Sequence, residues 1–314
     1  MVFANKSVFN EFIIVGLPET PIFQYISFFL LLIIYLLTLL SNFVIMILTS
    51  TETCLHTPMY FYIRNLSFLE VCYVSVIVPK VLGTISLHGR FISFSGCISQ
   101  LFFFFFLSST ECFLFAIMAY DRYIAICHPL HYTTLMDSYK CRSLTICSII
   151  GGFVTIFPHI VLISQLPFCR SNIIDHFFCD SPPLLHLACA DTYLIDLLDF
   201  SCASLVILTS LLVTLLSYVR IIATILRIPT KLGRSKAFST CCTHLIVVSI
   251  YYGTVSFMYV KPKVSFSSTL NRVLAVFYTI ITPLLNPIIY CLRNKEVKES
   301  VRRRLHFISH FQSY

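Results

Sequence analysis

The chain alternates long uncharged stretches with short polar joints. No charged residue lies between Glu19 and Glu52, between Arg142 and Arg170, between Asp199 and Arg220, between Lys236 and Lys261, or between Arg272 and Arg293. A further run starts after Arg90, reaches Glu111 and continues as apolar sequence to Ala119. A membrane-spanning helix needs roughly 20 mostly apolar residues, and each of these runs supplies them. One more segment, from about Met59 to Leu82, is weaker because Arg64 and Glu70 interrupt it. Seven spanning helices is the simplest reading, with Glu111 inside the third. The first is expected to be a retained span, since its apolar core is too long for a cleaved signal and no basic region closely precedes it.

An odd number of spans puts the two ends on opposite sides, and Lys and Arg concentrate on the cytoplasmic side. With the N-terminus outside, the inner side holds Arg64, Arg122, Lys140, Arg142 and the groups from Arg220 to Lys236 and from Arg293 to Arg304, 15 of 22 basic residues. The predicted organisation is an extracellular tail over 1–23, a seven-helix bundle over 24–292 and a cytoplasmic tail over 293–314. Asn5-Lys6-Ser7 then reads as a glycosylation acceptor in an exposed lumenal tail, whereas Asn65-Leu66-Ser67 lies within a span and stays unmodified. In the basic C-terminal tail Val297, Val301 and Leu305 recur at i, i+4, i+8, which predicts a short amphipathic helix on the anionic inner leaflet.

Composition sharpens this. Hydrophobic residues make up 57% and charged residues 11%, against about 25% charged in a soluble domain. That excludes an ordinary soluble enzyme and a disordered chain. The net charge of +8 sits at membrane edges, so no nucleic-acid platform is expected. No Ser/His/Asp set or Gly-rich phosphate loop occurs in a suitable context, and no enzymatic activity is predicted. Fourteen cysteines in so long and apolar a chain do not make a secreted disulfide scaffold. Cys97, Cys169, Cys179 and Cys189 fall on the oxidising outer side, where four cysteines allow three pairings.

The third span ends Met118-Ala119-Tyr120-Asp121-Arg122-Tyr123-Ile124-Ala125-Ile126-Cys127, and the seventh ends Pro283-Leu284-Leu285-Asn286-Pro287-Ile288-Ile289-Tyr290. Pro58-Met59-Tyr60-Phe61 opens the second span, Ser217-Tyr218 lies near the end of the fifth, and Lys236-Ala237-Phe238-Ser239-Thr240-Cys241-Cys242-Thr243-His244-Leu245 opens the sixth. In this order the motifs resemble those of olfactory (odorant) receptors of the tetrapod class II type, within the rhodopsin-like G-protein-coupled receptors. The resemblance runs from the first span to the basic tail. Ser41-Asn42 and Glu70 depart from it, where Gly-Asn and Asp are commoner.

The resemblance implies an all-α membrane protein of the plasma membrane that binds a volatile odorant and activates a stimulatory G protein, raising cyclic AMP. It implies that Asp121 holds Arg122 until a G-protein α subunit competes for it, with Tyr123 completing the motif. Tyr218, Asn286, Pro287 and Tyr290 would serve activation. It selects Cys97–Cys179 and leaves Cys169–Cys189, which takes Cys179 out of any metal site suggested by His176-Phe177-Phe178-Cys179-Asp180. Lys231, Arg234, Lys236 and His244 form a basic inner surface, open to reading as partner contact or as topology alone.

Glu70 and Glu111 are ionisable groups at membrane depth, which are costly and often functional. Glu111 precedes Arg122 by eleven residues, about 16 Å along a helix, and therefore lies near mid-bilayer. Two close carboxylates without a cation force one to keep its proton. The resemblance implies that Glu70, Glu111 and Asn286 converge on a sodium or protonation site. A neutral, hydrogen-bonded acid with a packing role is the alternative, and no other cofactor is expected.

The ligand pocket is expected in the outer half of the bundle. Phe105, Ser108, Ser109 and Cys112 share a face of the third helix by i, i+3, i+4, i+7 spacing. Cys202 and Val206 on the fifth reach similar depth, Tyr252, Val255, Ser256 and Tyr259 form the facing stripe of the sixth, and Thr279 on the seventh closes the cavity. The lining is apolar with a few hydroxyls and no carboxylate to pair an amine, which predicts a neutral alcohol, aldehyde, ketone or ester. Interhelical packing is the plainer role for these aromatics. The rival reading is a multispan transporter or channel, which should instead show broken helices around a polar midplane site.

Overall fold

A computed structural model describes residues 9–15, 20–86, 89–259, 268–293, 297–300 and 302–303. The helices follow the uncharged runs. They are α1 (Pro21–Thr51), α2 (Pro58–Ser86), α3 (Phe94–Cys127), a one-turn α4 (Tyr132–Leu135), α5 (Ser138–Ser164), a short α6 (Ser181–Leu185), α7 (Tyr193–Leu226) and α8 (Lys231–Tyr259). The seventh span is α9 (Ser268–Val276), a wider π-type turn over Phe277–Ile281, and α10 (Thr282–Arg293). Local chemistry sets several starts. Pro21 opens α1, the Ser93 hydroxyl accepts from the Gly96 amide at 3.1 Å, and the Asp137 carboxylate accepts from the Lys140 amide at 2.7 Å.

Six of the seven spans are long and apolar enough to cross a bilayer. Among the described residues α8 contributes the apolar stretch Cys241–Phe257. The second span, which looks weakest in sequence because of Arg64 and Glu70, is a continuous helix of 29 residues. α3 is the central post, packed against α2, α5 and α7. Its approach to α5 depends on Gly152, where a Cβ would meet Thr110 Oγ1 at 2.5 Å and the Phe106 carbonyl oxygen at 3.1 Å.

The outer surface carries a feature that the span pattern does not announce. β1 (Glu11–Ile14) from the N-terminal tail pairs antiparallel with β2 (Phe91–Ser93) and parallel with β3 (Ile173–Ile174), in the order β2-β1-β3. Phe12 is fully buried under this small sheet, edge-on to Phe168 and near Phe94. Two apolar clusters fill the bundle. The outer one gathers Phe12, Tyr73, Phe104, Phe105, Phe178 and Tyr278. The inner one gathers Cys112, Phe115, Val206, Tyr251, Tyr252 and Val255, and continues to Tyr290 and Val297. Val297 belongs to a helical segment over 297–300, and it is buried there. Asn5, Val301 and Leu305, singled out in the tails, lie outside the described residues, as does the side chain of Tyr259.

Candidate functional site

Five of the residues singled out for ligand binding belong to the two apolar clusters. Phe105 belongs to the outer one, next to Phe104. Cys112, Val206, Tyr252 and Val255 belong to the inner one. Ser109 is buried, Ser108, Cys202 and Ser256 are half-buried, and Thr279 is fully buried in the π-type turn with its hydroxyl donating to the Ala275 carbonyl at 2.6 Å.

Tyr251 joins α8 to α3, although the facing stripe chosen on α8 omits it. Its hydroxyl donates to the Ser108 carbonyl oxygen at 2.9 Å and lies 3.2 Å from Ser108 Oγ and 3.5 Å from Cys112 Sγ. The Tyr252 hydroxyl donates to the Cys112 carbonyl oxygen at 3.2 Å. Two adjacent tyrosines thus clamp α8 to α3, and Phe115 packs against both rings. The spacing Val247, Tyr251, Val255 repeats at i, i+4 and is the sequence signal for this second face.

An aromatic lid covers the outer cluster. Cys97 and Cys179 are disulfide-bonded, with Cα atoms 5.5 Å apart, and Cys169 and Cys189 likewise at 5.7 Å. Gln100 reinforces the first link: its amide donates to the Val76 carbonyl at 2.9 Å while its Oε1 accepts from the Cys179 backbone amide at 3.0 Å. Phe178 thereby sits over Phe104, with ring centroids 5.0 Å apart. His176 stacks on Phe177 and is buried, with neither ring nitrogen bonded to another side chain. Burial, helped by the Arg272 guanidinium, pulls its pKa from 6.5 down to about 4. Arg272 itself pairs with Asp175.

At the inner face, Arg122 donates from Nε and Nη2 to Asp121 Oδ2 at 3.1 and 2.6 Å. Asp121 is fully buried and its other oxygen accepts from the Tyr132 hydroxyl at 2.9 Å. Burial and the neighbouring carboxylate raise the Tyr132 phenol, so it remains a donor. The Tyr123 hydroxyl instead meets His128 Nε2 at 3.1 Å. Tyr218 and His244 Nδ1 share a buried hydrogen bond of 2.7 Å, joining α7 to α8. Pro287 lies inside α10, and the Tyr290 hydroxyl is buried without a side-chain partner.

Between these levels, the Asn286 amide donates to Glu70 Oε1. Glu70, Glu111, Asn286 and Asn42 are all buried. Asn42 donates to the Thr38 carbonyl, and its Oδ1 is buried without a partner. Carboxylate and amide oxygens are hard donors, the kind that small cations take. Among the described residues no cluster of three or more His, Cys, Asp or Glu side chains forms a metal site.

The sequence model of the olfactory receptor family matches residues 31–307. Human olfactory receptor 6N1 is 49% identical over 301 residues, covering 96% of each chain. Human olfactory receptor 2AP1 is 48% identical over 295 residues, 94% of this chain and 96% of that one.

Proposed function

The chain belongs to the olfactory receptor family, and from that premise we propose that it takes a small neutral volatile ligand and couples to a stimulatory G protein. Membership makes it an odorant-sensing G-protein-coupled receptor, a multi-pass protein of the plasma membrane and not an enzyme. It also removes the transporter alternative.

The ligand reading rests chiefly on one observation, the Tyr251–Ser108–Cys112 cluster between α8 and α3. Its polar groups are uncharged hydroxyls, a thiol and a carbonyl, set among aromatic and aliphatic walls, as in most small-molecule sites. A hydroxyl or carbonyl on the ligand can exchange hydrogen bonds with Tyr251. A protonated amine would have no ion partner among these groups.

Signal transmission follows from the same helix. Tyr251 and Tyr252 hold the outer part of α8 to α3, and His244 holds its inner part to Tyr218. A ligand that engages Tyr251 loosens the first clamp, which lets the inner end of α8 swing away. Arg122, relieved of Asp121 and Tyr132, then receives the G-protein α subunit. The Glu70 and Glu111 carboxylates require one positive charge between them, supplied by a sodium ion or a proton. Glu70, Glu111, Asn286 and Asn42 would hold such an ion, whose charge offsets one of the two negative charges.

The test is an odorant panel read as cyclic AMP in cells expressing the receptor. Alcohols, aldehydes, ketones or esters should activate it, and Ser109→Val, Val206→Phe and Tyr259→Phe should reorder potencies by about 1–3 kcal/mol per methylene-sized change. Activation by amines alone, or a G-protein response without cyclic AMP, would overturn the ligand or the coupling proposal respectively.

A further inference from the structure

We infer that the crevice between the inner ends of α7 and α8 is a binding site for an anionic phospholipid of the inner leaflet. The crevice has a volume of about 390 Å³ and is lined by Ile222, Ile225, Leu226 and Phe238 and by the apolar atoms of Lys231, Arg234 and Ser235. Only four residues, Arg227 to Thr230, connect the two helices, so their inner ends stay side by side.

The crevice opens toward lipid. Leu208, Leu212, Leu216, Val219, Ile222 and Leu226 repeat at helical spacing and are all exposed. This is the membrane-facing stripe of α7, and it runs without a break into the crevice. Ile225 forms the floor and belongs to the separate buried cluster of Ala119, Tyr218, Ile221 and Cys241 beside Arg122. The surface expected to receive the G protein therefore lies on the other side of that floor. Leu232, in the first turn of α8, is 83% exposed, as suits a residue at the acyl boundary.

The charge is one-sided. Lys231 and Arg234 are exposed one turn apart at the N-terminus of α8, where the helix dipole also favours an anion. Arg234 gives one contact to the Ile228 carbonyl at 3.3 Å, and a guanidinium has five N–H donors in all. No Asp or Glu occurs in the sequence between Asp199 and Glu296, so neither α8 nor the inner half of α7 carries a carboxylate to neutralise them. An acyl chain gains little by leaving other lipid for an apolar groove. The headgroup must therefore supply the selectivity, with the groove fixing where the lipid sits.

The experiment titrates phosphatidylinositol 4,5-bisphosphate, phosphatidylserine and phosphatidylcholine onto the purified full-length receptor and reads bound lipid by native mass spectrometry. It does not depend on any odorant, so its failure leaves the receptor function untouched. The two anionic lipids should bind in preference to phosphatidylcholine. Each cation near an anionic headgroup contributes roughly fivefold, so Lys231→Gln with Arg234→Gln should weaken anionic lipid by about 25-fold. Lys140→Gln with Arg142→Gln, at the inner end of α5, should leave it unchanged. Filling the crevice with Ser235→Trp should also reduce retention. Equal loss in the α5 control, or no loss with Ser235→Trp, means diffuse adsorption to a basic surface and overturns the site. A photoreactive phenylalanine analogue at Phe238 should capture phospholipid in cell membranes. Capture of a second receptor copy or of a G-protein subunit there, in place of lipid, also overturns it.

Discussion

Asp121 is a buried carboxylate that satisfies three donors, two from Arg122 and one from Tyr132. A hydrogen bond to a charged group contributes about 1.5–3 kcal/mol. Tyr132→Phe should therefore weaken the hold on Arg122 and raise odorant-independent signalling severalfold, measured as basal cyclic AMP at matched surface level. An unchanged baseline would detach Tyr132 from the switch. Arg122→Ala should abolish signalling while the receptor still reaches the surface. Tyr251→Phe should shift the potency of hydroxyl-bearing odorants most, because it removes the donor to the Ser108 carbonyl. Asp121 and Arg122 were legible from their motif. Tyr132 was not, since it lies in a connection whose path no periodicity sets. Tyr251 was missed because it adjoins Tyr252, and a small rotation of α8 decides which of the two looks inward. In the structure both do.

At the scale of elements, the spans were legible because uncharged runs of bilayer length have few other uses. The sheet was not. β1 has four residues and β3 two, and their partners come from three separate outer segments. Phe12 shows what this sheet does: it seals the lid against Phe168. Phe12→Ala should cost about 3–5 kcal/mol of local stability and expose the outer loops to protease, whereas Phe12→Leu should retain most protection. His176 makes the same lid sensitive to acid. Its pKa falls from 6.5 to about 4 on folding, so between those values the unfolded lid binds more protons, and stability rises with pH. The stabilisation is complete above pH 6.5 and is lost as pH falls toward 4, on the order of 3 kcal/mol in all. Protection of the loop amides, corrected for the intrinsic pH dependence of exchange, should fall between pH 7 and pH 5 in the parent and change less in His176→Phe. The α3–α5 contact gives a second measure of element packing. Gly152→Val would drive a side chain into Thr110 and the Phe106 carbonyl, an overpacking cost of about 1–3 kcal/mol or more, seen as a lower melting temperature.

At the scale of the molecule, the buried polar cluster draws on four spans: Asn42 on α1, Glu70 on α2, Glu111 on α3 and Asn286 on α10. Its membership was partly legible, because two carboxylates inside uncharged runs stand out. The unpaired Asn42 oxygen was not, since only the packing of α1 against α10 brings it there. Because the cluster joins helices that carry the proposed ligand and G-protein contacts at opposite ends, its charge state should bear on the whole bundle. Two buried carboxylates that share one positive charge are costly, and replacing buried charge by neutral groups of like shape is often stabilising by about 1–4 kcal/mol. Glu111→Gln keeps the shape and removes one charge. It should raise the melting temperature of the purified receptor in sodium-free buffer and narrow the range of odorant response by favouring one state. The cation is identified by the same measurement. A parent melting temperature that climbs with sodium chloride but not with choline chloride, and a Glu111→Gln variant indifferent to both, assign the positive charge to sodium. A parent indifferent to sodium but stabilised as pH falls assigns it to a proton. A Glu111→Gln variant that melts lower than the parent under every condition would show that both carboxylates are needed for packing alone, and the switch would have to be sought elsewhere.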